Sequence, residues 1–289
     1  MAVDVGRPGP RYGGGAAAVD RDRARAYAAA TNDDNPAYES GGAVPPVFGV
    51  VASWPALVEA VSDLIPSEAQ ALIVHGEHDM WFHQPLEAGS MLVSHAELYG
   101  LRAARSGSRL TLRVASADTS GALVLEQYAT IFVRDLKLGP DVGPEKPDHR
   151  FPREARSRTV GEHTVHIDAD QTYRYRDASG DTMPIHVDDA FARHVGLPGI
   201  IVHGLCTMAM CGQAVVAGPG GGDPTRLTRL AVRFSRPVFP GTDLTTTLYE
   251  VESGADPAVY AFEAASGGHV VVRDGRAEVA GSSRPVPGR

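Results

Sequence analysis

Apolar positions along the chain follow two periods, and the change of period separates predicted helices from predicted strands. One helix is predicted from a cap at Asp20 to about Ala30, and a second from Val47 to about Val61. In the second, apolar residues recur every three or four positions, as on one buried helix face. Further on the period falls to two, with many β-branched residues, which predicts antiparallel strands. These strands cover residues 71–82, 91–101, 109–118 and 122–133.

The same order of elements returns in the second part of the chain. A short strand precedes Asp168, which is predicted to cap a helix containing Tyr175. A short helix near Asp188–His194 and an apolar helix over Ile201–Ala217 follow. Each half is therefore predicted to be an antiparallel sheet wrapped around one long helix, an α+β arrangement. The final four strands are predicted at residues 226–234, 244–251, 258–264 and 270–280.

Two sequence matches indicate that the halves are copies of one unit. The pattern Phe-x-x-Pro-x-x-x-Gly begins at Phe82 and again at Phe234, which are 152 residues apart. The loop from Asp33 to Tyr38 matches residues 181–186, at an offset of 148. Because both matches occur in the same order at nearly equal offsets, they indicate an internal duplication.

Composition predicts the boundaries of the two units. Residues 1–18 are rich in Gly and Ala and are predicted to be a disordered tail. Residues 136–160 are rich in proline and basic side chains, without an apolar period, and are predicted to be a linker. The N-terminal unit then covers residues 19–135 and the C-terminal unit residues 161–289. The two are expected to pair edge to edge, covering their exposed strands.

Charge and cysteine content exclude several classes of protein. The net charge of −8 argues against a broad nucleic-acid surface, and a hydrophobic content of 43% argues against global disorder. The two cysteines, Cys206 and Cys211, lie in one apolar helix and predict free thiols in a reducing, cytoplasmic setting. The N-terminus does not resemble a signal peptide. Polar residues interrupt the longest apolar run, Gly199 to Gly218, so it predicts a buried helix and no membrane partner.

The densest group of chemically useful residues lies in the second unit. Asp181 and His186 share a short loop, where a carboxylate and an imidazole can orient one water and exchange its proton. Gly204 stands at the start of the apolar helix, where backbone amides lack intrahelical acceptors and can hold an oxyanion. This combination suits hydration of an α,β-unsaturated thioester. By spacing alone, Asp181 as a helix cap before Asp188 and His186 as a structural loop histidine remain alternatives.

The stretch from Tyr173 to Met210 resembles the signature of the MaoC-like (R)-specific enoyl-CoA hydratase and dehydratase family. The duplicated layout is similar to the double hotdog members of that family, over nearly the whole chain. The resemblance therefore implies a double hotdog fold. The positions that match the family pattern are Gly180, Asp181, Pro184, His186, Pro198, His203, Gly204 and Leu205.

The resemblance also implies roles for individual residues. Asp181 and His186 would activate water, and the amide of Gly204 would polarise the thioester carbonyl. Substrates would be acyl groups carried on coenzyme A or on the phosphopantetheine arm of an acyl carrier protein, with no cofactor and no metal. The remaining candidates for substrate contact are Met183, His203 and Thr207, of which His203 is also expected to pack under the loop.

Two departures from the family pattern change this picture. Met183 stands where the family has Asn, which indicates a site tuned to an unusual acyl group or a weakened one. In the first unit Tyr38 stands where His186 stands, and a phenol with a pKa of about 10 cannot act as a base at neutral pH. The first unit is therefore predicted to be a non-catalytic lobe, with Asp33 as a turn residue.

Other functions remain open beside the hydratase. One alternative is a non-catalytic acyl-thioester-binding or partner lobe, as Met183 suggests, and another is a hotdog thioesterase. Its oligomeric state is either a homodimer or a pseudo-dimeric monomer. The histidines at 75, 78 and 83 are predicted not to share a metal, because His75 and His78 would point to opposite faces of a strand. Two sets of arginines are candidates for contact with nucleotide phosphates, but a solvated strand face is the favoured interpretation of each. They are the arginines at 226, 229, 233 and 236 and those at 102, 105, 109 and 113.

Overall fold

The structure is a computed structural model that describes residues 9–40, 42–252 and 254–285. Within these residues the strands are β1 (Tyr12–Ala18), β2 (Ile73–Phe82), β3 (Met91–Ala104), β4 (Gly107–Ala117), β5 (Leu123–Arg134), β6 (Thr159–His166), β7 (Leu227–Phe234), β8 (Asp243–Glu252), β9 (Ala258–Ser266) and β10 (His269–Val279). The α-helices are α1 (Arg21–Ala30), α2 (Ala37–Ser40), α3 (Gly49–Leu64), α4 (Gln171–Ser179), α5 (Asp189–His194) and α6 (Gly204–Ala217).

The strands form one antiparallel sheet that both halves of the chain share. Its order is β1-β3-β4-β5-β2-β7-β10-β9-β8-β6, so each half contributes five neighbouring strands. The halves meet where β2 pairs with β7, from Glu77 opposite Arg233 to Trp81 opposite Arg229. The predicted α+β class, with an antiparallel sheet around a long helix in each half, is confirmed.

Each half packs one long helix against its own strands. Helix α3 packs against β1, β3 and β4, and α6 packs against β6, β7 and β8. The segment Pro46–Leu64, which contains α3, is long and apolar enough to cross a membrane, and 56% of it is buried inside the protein. That burial is typical of a core helix. Both cysteines of α6, Cys206 and Cys211, are free and buried, as predicted.

The predicted disordered tail is wrong for residues 12–18, which form the edge strand β1. Tyr12 is buried, and its hydroxyl donates to an Asp63 carboxylate oxygen at 2.6 Å. Glycine serves close packing here: a Cβ on Gly13 would lie 2.5 Å from the Cβ of Ala56 in α3, at a φ of +86°. The glycine at position 13 therefore allows β1 to pack closely against α3, and the Gly-rich composition does not indicate disorder in this strand. Residues 1–8 lie outside the described part of the chain.

The two predicted helix caps have different outcomes. The Asp20 carboxylate accepts the Arg23 N–H at 2.7 Å and caps α1 as predicted. Asp168 is not a cap, because α4 begins two residues later than expected and Asp170 occupies the capping position. The Asp168 carboxylate instead pairs with Arg174 and accepts a bond from Asn32 of the first half at 3.1 Å.

The predicted linker packs against the sheet along part of its length. Val142 and Leu101 of β3 exchange backbone hydrogen bonds. His149 is 4% exposed, and its Nδ1 donates to the Asp274 carbonyl oxygen at 2.6 Å. Its Nε2 lies 3.0 Å from a carboxylate oxygen of Glu77 in β2. The segment thus bridges a strand of each half, and the domain boundaries themselves stay a prediction.

Glu77 should make the stability of the protein depend on acid pH. Burial raises its pKa, but contacts from His149 and Lys146 outweigh burial and lower it from 4.5 to about 2. A carboxyl whose pKa is lower in the folded state stabilises the fold above its unfolded pKa and loses that effect as pH falls. We expect the difference in free energy of unfolding between the native chain and Glu77→Gln to shrink as pH falls from about 4.5 to about 2. Urea titrations across this range measure it, and a constant difference would contradict the assignment.

The prediction that Arg229 lines a solvated strand face is wrong. Its side chain is 4% exposed and forms a two-pronged pair with Asp79 of β2, with N–O distances of 3.0 and 2.7 Å. The guanidinium also lies 4.0 Å from the centre of the Trp81 ring. The pair joins β7 to β2, where the two halves of the sheet meet.

The prediction that His75 and His78 point to opposite faces of a strand is also wrong. The pairing of β2 with β5 shifts register between His75 and Glu77, and this irregularity brings both rings to one face. The Nε2 of His75 lies 3.1 Å from the Nδ1 of His78. His83 lies apart from them, with its Nε2 3.5 Å from a Glu126 oxygen.

Candidate active site

The loop between α4 and α5 begins at a helix end held by the first half. Helix α4 stops at Gly180, whose φ of +85° is the left-handed conformation that glycine favours. Arg23 of α1 donates to the carbonyl oxygens of Ala178 and Ser179, both at 2.9 Å. The backbone that leads into Asp181 is therefore fixed by a contact between the halves.

Asp181 is buried at this turn, with one carboxylate oxygen engaged by the backbone. Its Oδ1 accepts the Met183 N–H at 3.1 Å, and its own N–H donates to the Ser179 hydroxyl at 3.1 Å. Helix α5 is capped by Asp188, which accepts the Phe191 N–H. The alternative interpretation of Asp181 as the cap of that helix is therefore wrong.

His186 is held in one tautomer by a backbone carbonyl. Its Nδ1 lies 2.8 Å from the Ile201 carbonyl oxygen, which can only accept, so Nδ1 carries the proton. Burial lowers the pKa of His186, and the nearby Asp181 charge opposes this shift. A neutral ring with Nδ1 protonated leaves Nε2 as a proton acceptor.

The two side chains are close enough to share one water molecule. A carboxylate oxygen of Asp181, a ring nitrogen of His186 and a ring nitrogen of His203 all lie within 4.8 Å of one another. A water that donates to two acceptors separates them by roughly 4.5 Å. Burial raises the pKa of Asp181, while His186 and the Met183 amide lower it. The site therefore combines a buried carboxyl with a neutral imidazole.

His203 stacks on His186 from the first position before α6. The ring centres are 3.8 Å apart and the planes differ by 25°. Its Nε2 donates to the Asp181 carbonyl oxygen at 3.2 Å, and its buried Nδ1 has no hydrogen-bond partner within the described residues. Burial, reinforced by His186, lowers the pKa of His203 to about 2, so its ring is neutral.

The same three side chains include the donor types of a metal site, but their geometry does not favour one. A metal ion bound by two imidazoles lies about 2 Å from each nitrogen, in the plane of each ring. Stacked rings keep their lone pairs in nearly parallel planes and so do not direct them at one point. The expectation that the site uses no metal or cofactor stays a prediction.

The remaining predicted site residues differ in their access to this loop. Gly204 is the first residue of α6, and a Cβ there would lie 3.2 Å from the Phe234 ring. Met183 is 40% exposed. Thr207 is buried, and its hydroxyl donates to the His203 carbonyl oxygen at 3.3 Å. Met183 is thus the most accessible of these residues, and substrate contact stays a prediction for all of them.

The matching loop of the first half keeps the turn but not the imidazole. The Asp33 carboxylate accepts the Asn35 N–H at 3.2 Å, just as the Asp181 carboxylate accepts the Met183 N–H. Asp33 is therefore a turn residue, as predicted. Burial raises the pKa of Asp33 to about 6. Asp33 and Tyr38 border a cleft of about 680 Å³. The first half therefore keeps the turn, and Tyr38 stands where the second half has the imidazole of His186.

Two tyrosines that were not among the predicted site residues lie next to this site, and the repeat offset relates them. Tyr27 and Tyr175 are 148 residues apart, the offset of the two loops, and their buried hydroxyls meet at 3.2 Å. Each lies in the helix before its loop. Arg23, which holds the end of α4, carries no comparable signal in the sequence.

Two protein families match this chain, one over each half. Residues 151–261 match the MaoC like domain, and residues 33–135 match the MFE-2 hydratase 2 N-terminal domain. The chain is 34% identical over 226 residues to 3-hydroxyacyl-thioester dehydratase Y of Mycobacterium tuberculosis, covering 72% of this chain and 73% of that protein. The chain belongs to the MaoC-like hydratase and dehydratase family.

Other relatives of the MaoC-like chain agree with this assignment. It is 25% identical over 210 residues to a probable enoyl-CoA hydratase 2 of Dictyostelium discoideum, covering 71% of each. The crystal structure of a MaoC-like dehydratase from Phytophthora capsici superposes with a TM-score of 0.83 at 24% identity, covering 96% of both chains. A Mycobacterium tuberculosis protein described as having a double hotdog fold superposes with a TM-score of 0.58 at 15% identity, covering 95% of this chain and 96% of that one. The predicted family and the double hotdog fold are confirmed.

Proposed function

We propose that this MaoC-like chain catalyses the reversible hydration of 2-enoyl thioesters to 3-hydroxyacyl thioesters, with Asp181 and His186 as its acid/base pair. The observation that carries the proposal is the fixed tautomer of His186, which leaves its Nε2 free to accept a proton, in a ring that has a nitrogen within 4.8 Å of a buried Asp181 carboxylate oxygen. The relatives named 3-hydroxyacyl-thioester dehydratase and enoyl-CoA hydratase 2 support the same reaction.

The reaction proceeds by water addition across the double bond. Water bound between the Asp181 carboxylate and Nε2 of His186 gives one proton to the pair as its oxygen bonds to the β-carbon. The electron pair of the double bond moves toward the thioester carbonyl, whose oxygen becomes negative. The proton then passes from the pair to the α-carbon, so one water is added in total. Dehydration is the reverse of these steps.

Gly204 stabilises the negative oxygen in this scheme. As the first residue of α6, it has an amide without an intrahelical acceptor, at the positive end of the helix dipole. An amide aimed at developing charge is a strong source of catalysis. The close Phe234 ring leaves little space for a side chain at this position.

The substrate is an acyl group on coenzyme A or on a carrier protein's phosphopantetheine arm. Met183 supplies no side-chain hydrogen bond where the family pattern has an amide, so Asp181 and His186 alone orient the water. Its exposed thioether favours an apolar acyl group. A single chain supplies both units, as a pseudo-dimeric monomer, and the cytoplasm is the proposed compartment.

The test is an assay that separates hydration from hydrolysis. The purified chain is mixed with crotonyl-CoA or a longer 2-enoyl-CoA, and loss of the conjugated thioester is followed by absorbance. A parallel reaction with DTNB records free thiol. We expect loss of conjugation without thiol release. Thiol release would instead indicate a thioesterase, and tight binding with neither change would indicate a non-catalytic lobe.

A further inference from the structure

A column of five buried aromatic rings runs from the first half of the chain to His186. Its ring centres are separated by 5.5, 5.3, 4.8 and 3.8 Å in order. Every member is at most 8% exposed. The column consists of Phe48, Tyr27, Tyr175, His203 and His186.

The column crosses the region where the two repeats meet. Tyr27 and Tyr175 occupy matching positions, and their hydroxyls lie 3.2 Å apart. Phe48 and His203 also match, since each occupies the capping position before the long helix of its half. The first half therefore ends its part of the column at Tyr27, and the second half continues from Tyr175 to the catalytic loop.

Stacking on His203 restricts the tilt of the His186 ring, which its hydrogen bond to the Ile201 carbonyl does not fix. The bond from Nδ1 to the Ile201 carbonyl fixes one ring atom, whereas the tilt of the ring is set by what packs on its face. That face lies on His203, which is itself held by the Asp181 carbonyl and by the Tyr175 ring. Displacement of a reacting group by about 1 Å can cost about 100-fold in rate.

We propose that the half lacking the acid/base pair positions His186 through this column, and that Tyr27 is a positioning residue for the hydration reaction. The inference rests on the proposed function. Tyr27 lies three ring contacts from His186 and so acts through Tyr175 and His203.

The experiment compares Tyr27→Leu with Phe262→Leu in the full chain. Phe262 is fully buried in β9, outside the column, and its replacement removes a ring of similar size. With crotonyl-CoA, Tyr27→Leu is expected to lower kcat about 10-fold and to leave KM within about twofold. Phe262→Leu is expected to leave kcat and KM within about twofold of the unmodified chain, even if its Tm falls as much as that of Tyr27→Leu. Tyr27→Phe keeps the ring and is expected to restore kcat.

A second readout does not depend on turnover. The ring proton resonances of His186, assigned by their loss in His186→Gln, report its stacking in NMR spectra. They are expected to shift in Tyr27→Leu and to stay in place in Phe262→Leu. If Tyr27→Leu does not fold, Tyr27→Met replaces it under the same criteria.

Three results would overturn the proposal. The first is a kcat for Tyr27→Leu within twofold of the unmodified chain. The second is a rise in KM alone. The third is unchanged His186 resonances. Absence of hydration by the unmodified chain would reject the proposed function instead, and the resonances would still decide whether Tyr27 positions His186.

Discussion

Replacing Asp181 by Asn is expected to lower kcat for water addition by about 100- to 10,000-fold, the range for loss of an acid/base group. The amide has the same shape, and its oxygen can still accept the Met183 N–H that now binds Oδ1. It cannot take up a proton, and it presents a donor where the water needs an acceptor. The loss should therefore fall on kcat while the loop keeps its conformation.

The same substitution should not destabilise the fold. Burial raises the pKa of Asp181, so its negative charge is unfavourable in the folded protein at neutral pH. A neutral amide removes that penalty, and the Tm of Asp181→Asn is expected to equal or exceed that of the unmodified chain. A loss of activity without a loss of Tm separates a chemical role from a structural one.

Asp188 provides the matched control. It lies seven residues further on, and its carboxylate caps α5 by accepting the Phe191 N–H. Asn caps a helix about as well as Asp, so Asp188→Asn makes the same chemical change without a stability penalty. We expect its kcat to stay within about twofold. An Asp181→Asn variant that keeps more than a tenth of kcat would show that another group moves the proton.

The order of elements could be predicted from the sequence because apolar periodicity reports which face of each element is buried. This periodicity predicts the helix capped by Asp20 and the strands of both halves other than β1. The loop proposed to be catalytic can be singled out in the sequence because Asp181 and His186 are neighbours there and share one turn. Such local features do not require knowledge of the fold.

The errors occurred where a residue's role depends on distant parts of the chain. Glycine at position 13 indicated disorder, because its contact with Ala56 of α3 exists only in the folded protein. A period of two predicts that His75 and His78 lie on opposite faces of the strand, because it does not reveal the irregular pairing of β2 with β5. The ring column cannot be predicted from the sequence, because the contact between Tyr27 and Tyr175 joins two repeats that are distant along the chain.

Arg229 differs most from its predicted position, because it is buried in an ion pair rather than exposed on a strand face. Its replacement is expected to have the largest effect on stability. Replacing it by Met is expected to lower the free energy of unfolding by about 3–5 kcal/mol, because it leaves a buried carboxylate unpaired. Asp79 is 5% exposed on its side chain, and both of its oxygens bond to Arg229. Glu278, the other acid on this guanidinium, keeps a bond from Arg276 at 2.8 Å. The loss should therefore come chiefly from Asp79, and urea unfolding measures it.

A double variant tests that explanation directly. Adding Asp79→Leu to Arg229→Met removes the unpaired charge and fills its place with an apolar side chain, which should recover most of the lost stability. The exposed pair of Arg150 and Asp148, with side chains 85% and 62% exposed, supplies the control. Arg150→Met is expected to leave the urea unfolding curve almost unchanged, because solvent screens an exposed ion pair. If the double variant is no more stable than Arg229→Met, the guanidinium stabilises the junction of β2 and β7 by packing on Trp81 rather than by neutralising Asp79.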